Sequence, residues 1–322
     1  MFDIVGIGEC VVDMTPAGES ERGNALFERH PGGAPSNMLA CAAKQGLKTA
    51  LISIVGDDSF GHYLVGVLKD VNIDVRAVHF SENLPTFVAL VDYDDRGDRR
   101  FFKMQLESSL SGFSPNHLDK ELISQAKLVH IAGSMLAWPD SLEAIRQAID
   151  FVHEEGKLVS DVNWREMLYD QEYAQTIAKP ILYEMDILKM SEEEMSLYTG
   201  TSDLVEGTKI LCEAGVKLAA VTLGARGCYY RYKNGSGRLY TYDTKVVDTN
   251  ASGDTFTAVM LAGLAEYSYD IDSISNDIMY HIMERANAGG AVCAAKRGAI
   301  YAVPSVEEID NCMKTVPLLK LD

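Results

Sequence analysis

The sequence has few basic residues for its acidic content, and this imbalance disfavours some partners. It contains 29 lysines and arginines against 47 aspartates and glutamates, a formal net charge of -18 at pH 7. Such an excess of negative charge repels nucleic acid phosphates and anionic lipid headgroups. We therefore expect neither a nucleic acid partner nor a membrane partner.

Long apolar runs are also missing. Residues 1–3 lead directly into a short apolar run, without the basic region and long hydrophobic stretch of a signal peptide. No later run approaches the roughly 20 residues of a membrane-spanning helix. We expect a cytoplasmic protein.

The six cysteines stand singly, with no Cys-x-x-Cys pair and no histidine at metal-ligand spacing. This pattern suggests neither a zinc site nor a disulfide framework, and it predicts buried, reduced thiols.

Two nucleotide motifs are incomplete or absent. Gly6 and Gly8 begin a dinucleotide fingerprint, but Val11 occupies the place of its third glycine. No Gly-x-x-x-x-Gly-Lys-Ser/Thr segment occurs, which excludes a P-loop site.

What the sequence does contain is a regular alternation of two patterns. Short apolar runs such as 51–54 and 219–223 alternate with amphipathic stretches such as 141–155 and 203–214. With 322 residues and 47% hydrophobic content, the chain can bury a large core. We predict one α/β domain over residues 1–322, with a mostly parallel sheet covered on both faces.

Four other stretches have distinct patterns. Residues 86–104 predict two strands around the turn-prone segment 94–98, and residues 228–242 predict a hairpin around 234–237. The first hairpin carries Phe101 and Phe102 and is either a lid over a ligand or an edge hairpin of the main sheet. Residues 251–264 and 277–295 are predicted to be helical.

The strongest local motif is residues 246–256, Val-Val-Asp-Thr-Asn-Ala-Ser-Gly-Asp-Thr-Phe. A turn of small polar residues opens a helix here, and the first N–H groups of a helix point at an anion in front of it. Asp254, in the same turn, can take the proton of a hydroxyl aligned with a phosphate. The alternative is that Asp254 only caps the helix electrostatically.

A second glycine-rich turn, Pro-Gly-Gly-Ala-Pro-Ser-Asn at residues 31–37, precedes a helix predicted to run to about Gly46. Paired glycines allow a ligand close to the backbone, and Asn37 offers a donor and an acceptor to a hydroxyl. The alternative is a tight turn with Ser36 or Asn37 as helix cap.

Together the two loops resemble the Gly-Gly-x-Pro-x-Asn and Asp-Thr-x-Gly-Ala-Gly-Asp signatures of the ribokinase-like (pfkB-type) carbohydrate kinases. Residues 55–61, Val-Gly-Asp-Asp-Ser-Phe-Gly, lie between them as in that family. The resemblance covers nearly the whole chain. It implies a three-layer α/β/α fold with a small β lid, formed from segments within about 9–30 and 85–108. It also implies ATP-dependent phosphorylation of a primary hydroxyl of a monosaccharide.

The resemblance also implies roles for individual residues. Asp254 is then the base, and the N–H groups of Ala251, Ser252 and Gly253 stabilise the charge on the transferred group. The implied sugar ligands are Asp13, Gly32, Gly33, Asn37, and the Asp161, Asn163 and Arg165 of an Asp-x-Asn-x-Arg segment seen in fructokinases and 2-keto-3-deoxygluconate kinases. A structural ion pair between Asp161 and Arg165 is the alternative for that segment.

For the nucleotide, the resemblance implies Lys189, Glu194, Thr222, Gly224, Gly227 and Asn287. Glu194 would help to hold Mg²⁺ through water, although residues 191–194 also form a capping box for the next helix. The implied cofactors are ATP and Mg²⁺, with potassium activation also expected. A homodimer formed through the lid is expected as well.

Two positions depart from the family pattern. Ala251 replaces a glycine, and because a positive φ would strain an alanine, we expect an ordinary backbone conformation there, with the methyl group away from the phosphate path. Gln105 replaces an arginine of many fructokinases. Fructokinase is still the first choice, then 2-keto-3-deoxygluconate kinase, with ribokinase and nucleoside kinase behind them. A non-catalytic sugar or nucleotide sensor is the alternative from another class, and the retained Asp254 argues against it.

Overall fold

The computed structural model describes residues 1–93 and 99–320, with side chains described outside 92–102. The predicted turn at 94–98 and the side chains of Phe101 and Phe102 therefore lie outside the described parts. The strands are β1 (Phe2–Ile7), β2 (Val11–Glu19), β3 (Ala25–Gly32), β4 (Thr49–Gly56), β5 (Ile73–Ser81), β6 (Val88–Tyr93), β7 (Arg99–Met104), β8 (Ala126–Ala132), β9 (Lys157–Asp161), β10 (Ile187–Ser191), β11 (Leu218–Thr222), β12 (Cys228–Tyr232) and β13 (Gly235–Leu239). The helices are α1 (Ala34–Lys44), α2 (Ser59–Asp70), α3 (Lys120–Ser124), α4 (Pro139–Phe151), α5 (Gln171–Tyr173), α6 (Lys179–Leu182), α7 (Glu192–Thr199), α8 (Leu204–Glu213), α9 (Ser252–Ala265), α10 (Asn276–Ala294) and α11 (Val306–Thr315).

The large sheet has the strand order β13-β12-β11-β10-β9-β8-β1-β4-β5. All neighbouring strands from β11 to β5 pair in parallel, and the hairpin of β12 and β13 adds two antiparallel strands at one edge. The parallel strands are short apolar runs because both of their faces are buried; β4, for example, is buried at every residue. The prediction of a mostly parallel sheet is confirmed.

Helices cover both faces of this sheet. Alternate residues of each strand enter two separate hydrophobic clusters: Ile4 and Ile187 belong to the cluster beneath α1, α2, α9, α10 and α11, whereas Val5 and Leu188 belong to the cluster beneath α3, α4, α6, α7 and α8. The result is the predicted three-layer α/β/α arrangement.

A second, four-stranded sheet has the order β3-β2-β6-β7. Strands β2 and β6 pair in parallel, and β3 and β7 are its antiparallel edges. The hairpin predicted at 86–104 thus belongs to this small sheet. The alternative, which placed it at the edge of the main sheet, is wrong. Residues 25–29 of β3 are all exposed, although Arg29 stacks over the ring of Tyr63 at 4.0 Å and Glu28 lies 3.8 Å from Arg297.

Element boundaries differ from the predictions by a few residues. The second hairpin turns at Lys233 and Asn234, so Gly235 already begins β13. Helix α4 ends at Phe151, ahead of the predicted residue 155, because the chain turns through 152–156 toward β9. In the described parts of the chain, no helix is both long and apolar enough to cross a membrane. The cytoplasmic location stays a prediction.

Candidate active site

A cavity of about 390 Å³ lies where the carboxyl ends of β1, β8, β9 and β10 meet the small sheet and the start of α9. The carboxyl edge of a parallel sheet is where open α/β folds bind ligands. The predicted site residues that line it are Asp13, Gly33, Asn37, Asp161, Asn163, Arg165, Lys189, Glu194, Ala251, Gly253 and Asp254. Those that do not line it are Gly32, Ser252, Thr222, Gly224, Gly227 and Asn287.

On the side of the small sheet, Asp13 is 4% exposed and faces the cavity from β2. Gly32, at the end of β3, lies behind it: a Cβ atom at Gly32 would be 2.5 Å from Oδ2 of Asp13. The bare Cα of Gly32 therefore makes room for the carboxylate. Gly33 follows with φ 104°, a conformation that favours glycine, and forms the N-cap of α1. The alternative, with Ser36 or Asn37 as the cap, is wrong because both residues lie inside the helix.

Asn37 and Asp254 are in direct contact. Nδ2 of Asn37 donates a hydrogen bond of 2.8 Å to Oδ2 of Asp254, which joins α1 to the first turn of α9. The amide oxygen of Asn37 is buried and has no hydrogen-bond partner among the described residues. A cavity-lining acceptor of this kind is suited to a hydroxyl donor.

The environment of Asp254 favours its protonated form. Burial, together with the negative charge of Asp161, raises its pKa from 3.8 to about 7, although the Asn37 hydrogen bond and the Lys189 ammonium act in the opposite direction. A carboxyl group with a pKa near neutrality is matched to the transfer of a proton at physiological pH.

Lys189 and Asp161 form a buried ion pair below Asp254. Nζ of Lys189 lies 3.1 and 3.0 Å from the two oxygens of Asp161, and Thr257 of α9 donates to the same carboxylate at 3.3 Å. Burial opposes the charge on Lys189, but the carboxylates of Asp161 and Glu194 raise its pKa. The ammonium therefore stays charged inside the site.

The start of α9, where an anion cradle was predicted, lies beside the Lys189 ammonium. A Cβ atom at Gly253 would lie 2.8 Å from Nζ of Lys189, so the bare glycine leaves a gap between the helix N-terminus and the ammonium. The hydroxyl of Ser252 is buried and has no partner within the described residues. The N–H of Ser252 donates to the carbonyl oxygen of Thr249 at 3.2 Å, so the groups that converge on this place are the N–H groups of Ala251 and Gly253, the helix dipole and the Lys189 ammonium.

The expectation for Ala251 is wrong in its main part. Ala251 is the N-cap of α9 and has φ 60° and ψ 6°, in the left-handed region. Its methyl group packs with Cys293, Ala299 and Ala302 in a small apolar cluster. The packed cluster and the turn that opens α9 hold the residue in this conformation, which costs an alanine about 1–2 kcal/mol.

Glu194 has a structural function at the cavity wall. Its Oε2 accepts from the Ser191 N–H at 2.7 Å, while Ser191 Oγ accepts from the Glu194 N–H at 3.2 Å, so the capping box is present. Oε1 accepts from the N–H of Trp164 at 2.7 Å. Burial raises the pKa of Glu194. The carboxylate thus joins α7 to the loop after β9, where Asn163 has φ 41°.

The predicted nucleotide residues form a neighbouring group. Thr222 pairs with Ser191, which lines the cavity, and with Cys228 on its other side. The amide of Asn287 contacts the sulfur of Cys228 at 3.4 Å. Gly224 and Gly227 both have positive φ in the turn between β11 and β12. The group therefore lies beside the cavity, at the carboxyl ends of β10 and β11.

Several cavity residues were not predicted. The polar ones are Glu9, Ser134, Ser191, Thr249 and Asn250, and the apolar ones are Val11, Phe87, Ala89, Met104, Leu110, Trp138, Leu168 and Ala34. Glu9 had a detectable signal, because an acidic residue directly after a buried apolar strand points to the carboxyl edge of the sheet. The apolar residues are scattered from Val11 to Leu168, and apart from Ala34 in the first glycine-rich turn they lie in no motif.

Comparisons with known proteins agree with this geometry. The profile described as "pfkB family carbohydrate kinase" matches residues 1–306. "Probable fructokinase-5" of Arabidopsis thaliana is 33% identical over 97% of this chain and 97% of its own length. A double mutant of the Vibrio cholerae O395 fructokinase, solved in a fructose-, ADP- and potassium-bound form, is 25% identical with a TM-score of 0.82, over 97% of this chain and 98% of that one.

An uncharacterized sugar kinase from Pyrococcus horikoshii is 27% identical with a TM-score of 0.79, over 97% of this chain and 96% of that one. The family profile and these relatives extend across nearly the whole chain, including both glycine-rich loops and the cavity between them. The chain belongs to the pfkB family of carbohydrate kinases.

Proposed function

We propose that this protein is a fructokinase that transfers the γ-phosphoryl group of ATP to the 6-hydroxyl of fructose. The observation that carries the proposal is the position of Asp254: it lies at the N-terminus of α9, contacts Asn37, and shares one cavity with Asp13 and Lys189. A base, a hydroxyl-binding wall and an anion cradle are the parts that phosphoryl transfer to an alcohol requires.

In this proposal the sugar lies between the small sheet and α1. The buried carboxylate of Asp13 and the unpartnered amide oxygen of Asn37 accept hydrogen bonds from its hydroxyls, and Gly33 lines the same cavity. Asn163 and Arg165 face the same cavity from the loop after β9. Asp254 then takes the proton of the reacting hydroxyl as the oxygen attacks phosphorus.

The phosphoryl group is received at the start of α9. The N–H groups of Ala251 and Gly253 face a developing negative charge, and that of Ser252 joins them once it releases the Thr249 carbonyl oxygen, to which it donates at 3.2 Å. Lys189 supplies a fixed positive charge beside Gly253. These groups are held in place before the reaction, Lys189 by Asp161 and the N–H groups by the helix, so little reorganisation is needed. The nucleotide would extend from there toward Thr222, Gly224, Gly227 and Asn287.

In this proposal, Mg²⁺ is bound mainly by the phosphates of ATP and not by a cluster of protein ligands. Among the described residues, no three His, Cys, Asp or Glu side chains are grouped as metal ligands. Glu194 keeps lone pairs on its two oxygens and lines the cavity, so it can hold a hydrated ion through water. When bound with ATP, Mg²⁺ neutralises phosphate charge. A potassium requirement is a further part of the proposal, supported by the potassium-bound form of the Vibrio cholerae fructokinase.

An ADP-release assay over a panel of fructose, 2-keto-3-deoxygluconate, ribose and a nucleoside tests the proposal. We expect the highest kcat/KM with fructose, and a product phosphorylated at the 6-hydroxyl by NMR. A higher value with 2-keto-3-deoxygluconate would favour the second candidate. ADP release that no sugar raises above the rate in water would overturn the kinase assignment and favour a sensor.

We also propose that two chains associate through their small sheets. Leu26 and Phe27 of β3 are 44% and 45% exposed, in a stretch of five exposed residues at the edge of the small sheet. Apolar residues on an exposed edge strand are suited to burial against a second copy. Light scattering on the intact chain should give a dimer, and Phe27→Glu should give a 35.3 kDa species. A wild-type monomer at micromolar concentration would contradict the proposal.

A further inference from the structure

Helix α1 takes its N-terminal cap from a distant residue. Its N-cap is Gly33, which has no side chain, and its first turn contains no acidic residue. Oε1 of Glu9 accepts a hydrogen bond of 3.1 Å from the N–H of Ala34, 25 residues later. A carboxylate in this place satisfies an N–H group that has no partner within the helix and interacts favourably with the helix dipole.

The backbone of Glu9 holds the same turn. Its carbonyl oxygen accepts a hydrogen bond of 3.2 Å from the hydroxyl of Ser36. The Cα of Gly33 packs so closely on this carbonyl that a Cβ atom there would collide with it. Side chain and main chain of one residue thus anchor three positions of the turn that begins α1.

Glu9 is itself held from the other side of the cavity. Its second carboxylate oxygen, Oε2, accepts a hydrogen bond from the hydroxyl of Ser134, which follows β8. The side chain is 7% exposed and lines the cavity. Burial raises the pKa of this carboxyl group, while the hydrogen bond from Ser134, the backbone hydrogen bonds and the charge of Arg165 act against the rise. A buried carboxyl group with both oxygens used is a rigid anchor.

We propose that Glu9 is a positioning residue for the transfer reaction: it holds the first turn of α1 so that the amide of Asn37 stays against Asp254. This inference rests on the proposed sugar kinase function. Asn37 is one turn from the anchor, since its N–H donates to the carbonyl of Gly33 at 3.0 Å, and its side chain contacts Asp254 at 2.8 Å. A shift of this turn moves the amide that orients the base and binds the sugar.

Three variants test the inference. Glu9→Ala removes the anchor, and we expect kcat/KM for the sugar to fall about 10- to 100-fold while the KM for ATP changes less than about twofold, because a small misplacement of a reacting group has effects of this size. Glu9→Gln keeps an acceptor for Ala34 and a polar partner for Ser134, so it should retain most activity. Asp203→Ala is the matched control: it removes the side-chain cap of α8, outside the cavity, and should lower the thermal midpoint without changing kcat/KM.

A wild-type kcat/KM in Glu9→Ala, or an equal loss in Glu9→Gln, would overturn the inference. If Glu9→Ala does not fold, Ser134→Ala carries the test, because it removes only the donor to Oε2. A lower sugar kcat/KM with an unchanged KM for ATP then supports the inference, and an unchanged sugar kcat/KM overturns it.

Hydrogen–deuterium exchange of the α1 peptide, without substrate, separates this inference from the proposed function. Exchange in the first turn should be faster in Glu9→Ala and unchanged in Glu9→Gln and Asp203→Ala. If the wild type phosphorylates no sugar, the proposed function is refuted, but the anchoring of α1 by Glu9 is not. Unchanged exchange in Glu9→Ala would show that Glu9 does not anchor the first turn of α1.

Discussion

Asn37 and Asp254 are 217 positions apart in the chain, yet the amide of Asn37 donates a 2.8 Å hydrogen bond to the carboxylate of Asp254. This contact joins the two glycine-rich loops into one site, since one residue comes from each. Packing of α1 against α9 brings the two side chains together. The hydrogen bond lowers the pKa of Asp254, while burial raises it more strongly, and the balance leaves it at about 7.

Asp254→Asn should remove most of the turnover and leave the fold intact. Asparagine has nearly the same shape but cannot take a proton, so kcat should fall by roughly 10²- to 10⁴-fold. The KM for ATP should change little. The measurement is steady-state kinetics on purified protein, with circular dichroism as the control for folding. Turnover near the wild-type rate would show that another group is the base.

The pH dependence of kcat/KM should reflect the raised pKa of Asp254. Because kcat/KM reports the free enzyme and the base must be deprotonated, the acid limb should have its midpoint near pH 7 and fall about tenfold per pH unit below it. A midpoint near pH 4, the value of an ordinary aspartate, would contradict the structural environment. The exposed Asp203→Ala variant should have the wild-type profile.

The same pKa predicts a stability effect. The folded-state pKa of about 7 exceeds the ordinary value of 3.8, so between these values the folded protein binds more protons than the unfolded chain. The contribution of Asp254 to stability is therefore lost as pH rises through this window. Asp254→Asn should gain stability relative to wild type between pH 4 and pH 7, measured by thermal denaturation at matched pH. A difference in thermal midpoint between the two proteins that stays constant from pH 4 to pH 7 would contradict the raised pKa of Asp254.

Much of the fold could be predicted because its parallel strands are apolar runs separated by amphipathic helices. Strand β3 was not predicted from its pattern, since residues 25–29 are all exposed and show no alternation. Its place in the small sheet depends on pairing with β2, which no local pattern reveals. The family resemblance, and not periodicity, predicted a lid segment there.

The site could be predicted only in part. Residues within a motif, such as Asn37 and Asp254, were found because their loops have distinctive sequences. The partner of Asp161 could not be found, because its pairing with Lys189 depends on the register of β9 against β10. The sequence indicated the position of Glu9 at the carboxyl edge of the sheet but not its anchoring contact, because its partner Ala34 is 25 residues away at the start of α1.

Thr86→Val should destabilise the junction between the two sheets. Asp58 accepts hydrogen bonds from the N–H and hydroxyl of Thr86, both at 2.8 Å, and the Thr86 hydroxyl accepts from the N–H of Gly56 at 3.0 Å. Burial opposes ionisation of Asp58, but these bonds lower its pKa. Valine leaves a buried N–H unpaired, which should reduce the free energy of unfolding by about 1–3 kcal/mol. Urea denaturation measures the change. Thr201→Val, in a loop outside the cavity, is the control. An equal loss of stability in Thr201→Val would show that the unpaired Gly56 N–H is not the cause.

Substitutions of Ala251 distinguish backbone strain from obstruction of the phosphate. Glycine relieves about 1–2 kcal/mol of left-handed strain, but it loses a buried methyl group worth about 0.8 kcal/mol and gives the unfolded chain more freedom, worth about 0.4–1 kcal/mol. These contributions nearly cancel, so Ala251→Gly should change the free energy of unfolding by less than about 1 kcal/mol.

Ala251→Val should instead be harmful, because a β-branched side chain is strained at φ 60° and would overfill the cluster with Cys293 and Ala302. We expect a loss of more than about 2 kcal/mol in urea denaturation, and a lower kcat because the N–H groups that begin α9 turn away from the phosphate. Ala251→Gly should keep kcat within about threefold of wild type, since the methyl group packs in the apolar cluster with Cys293. A much larger gain in kcat for the glycine variant would show that the methyl group obstructs the phosphate, and this would favour the sensor alternative.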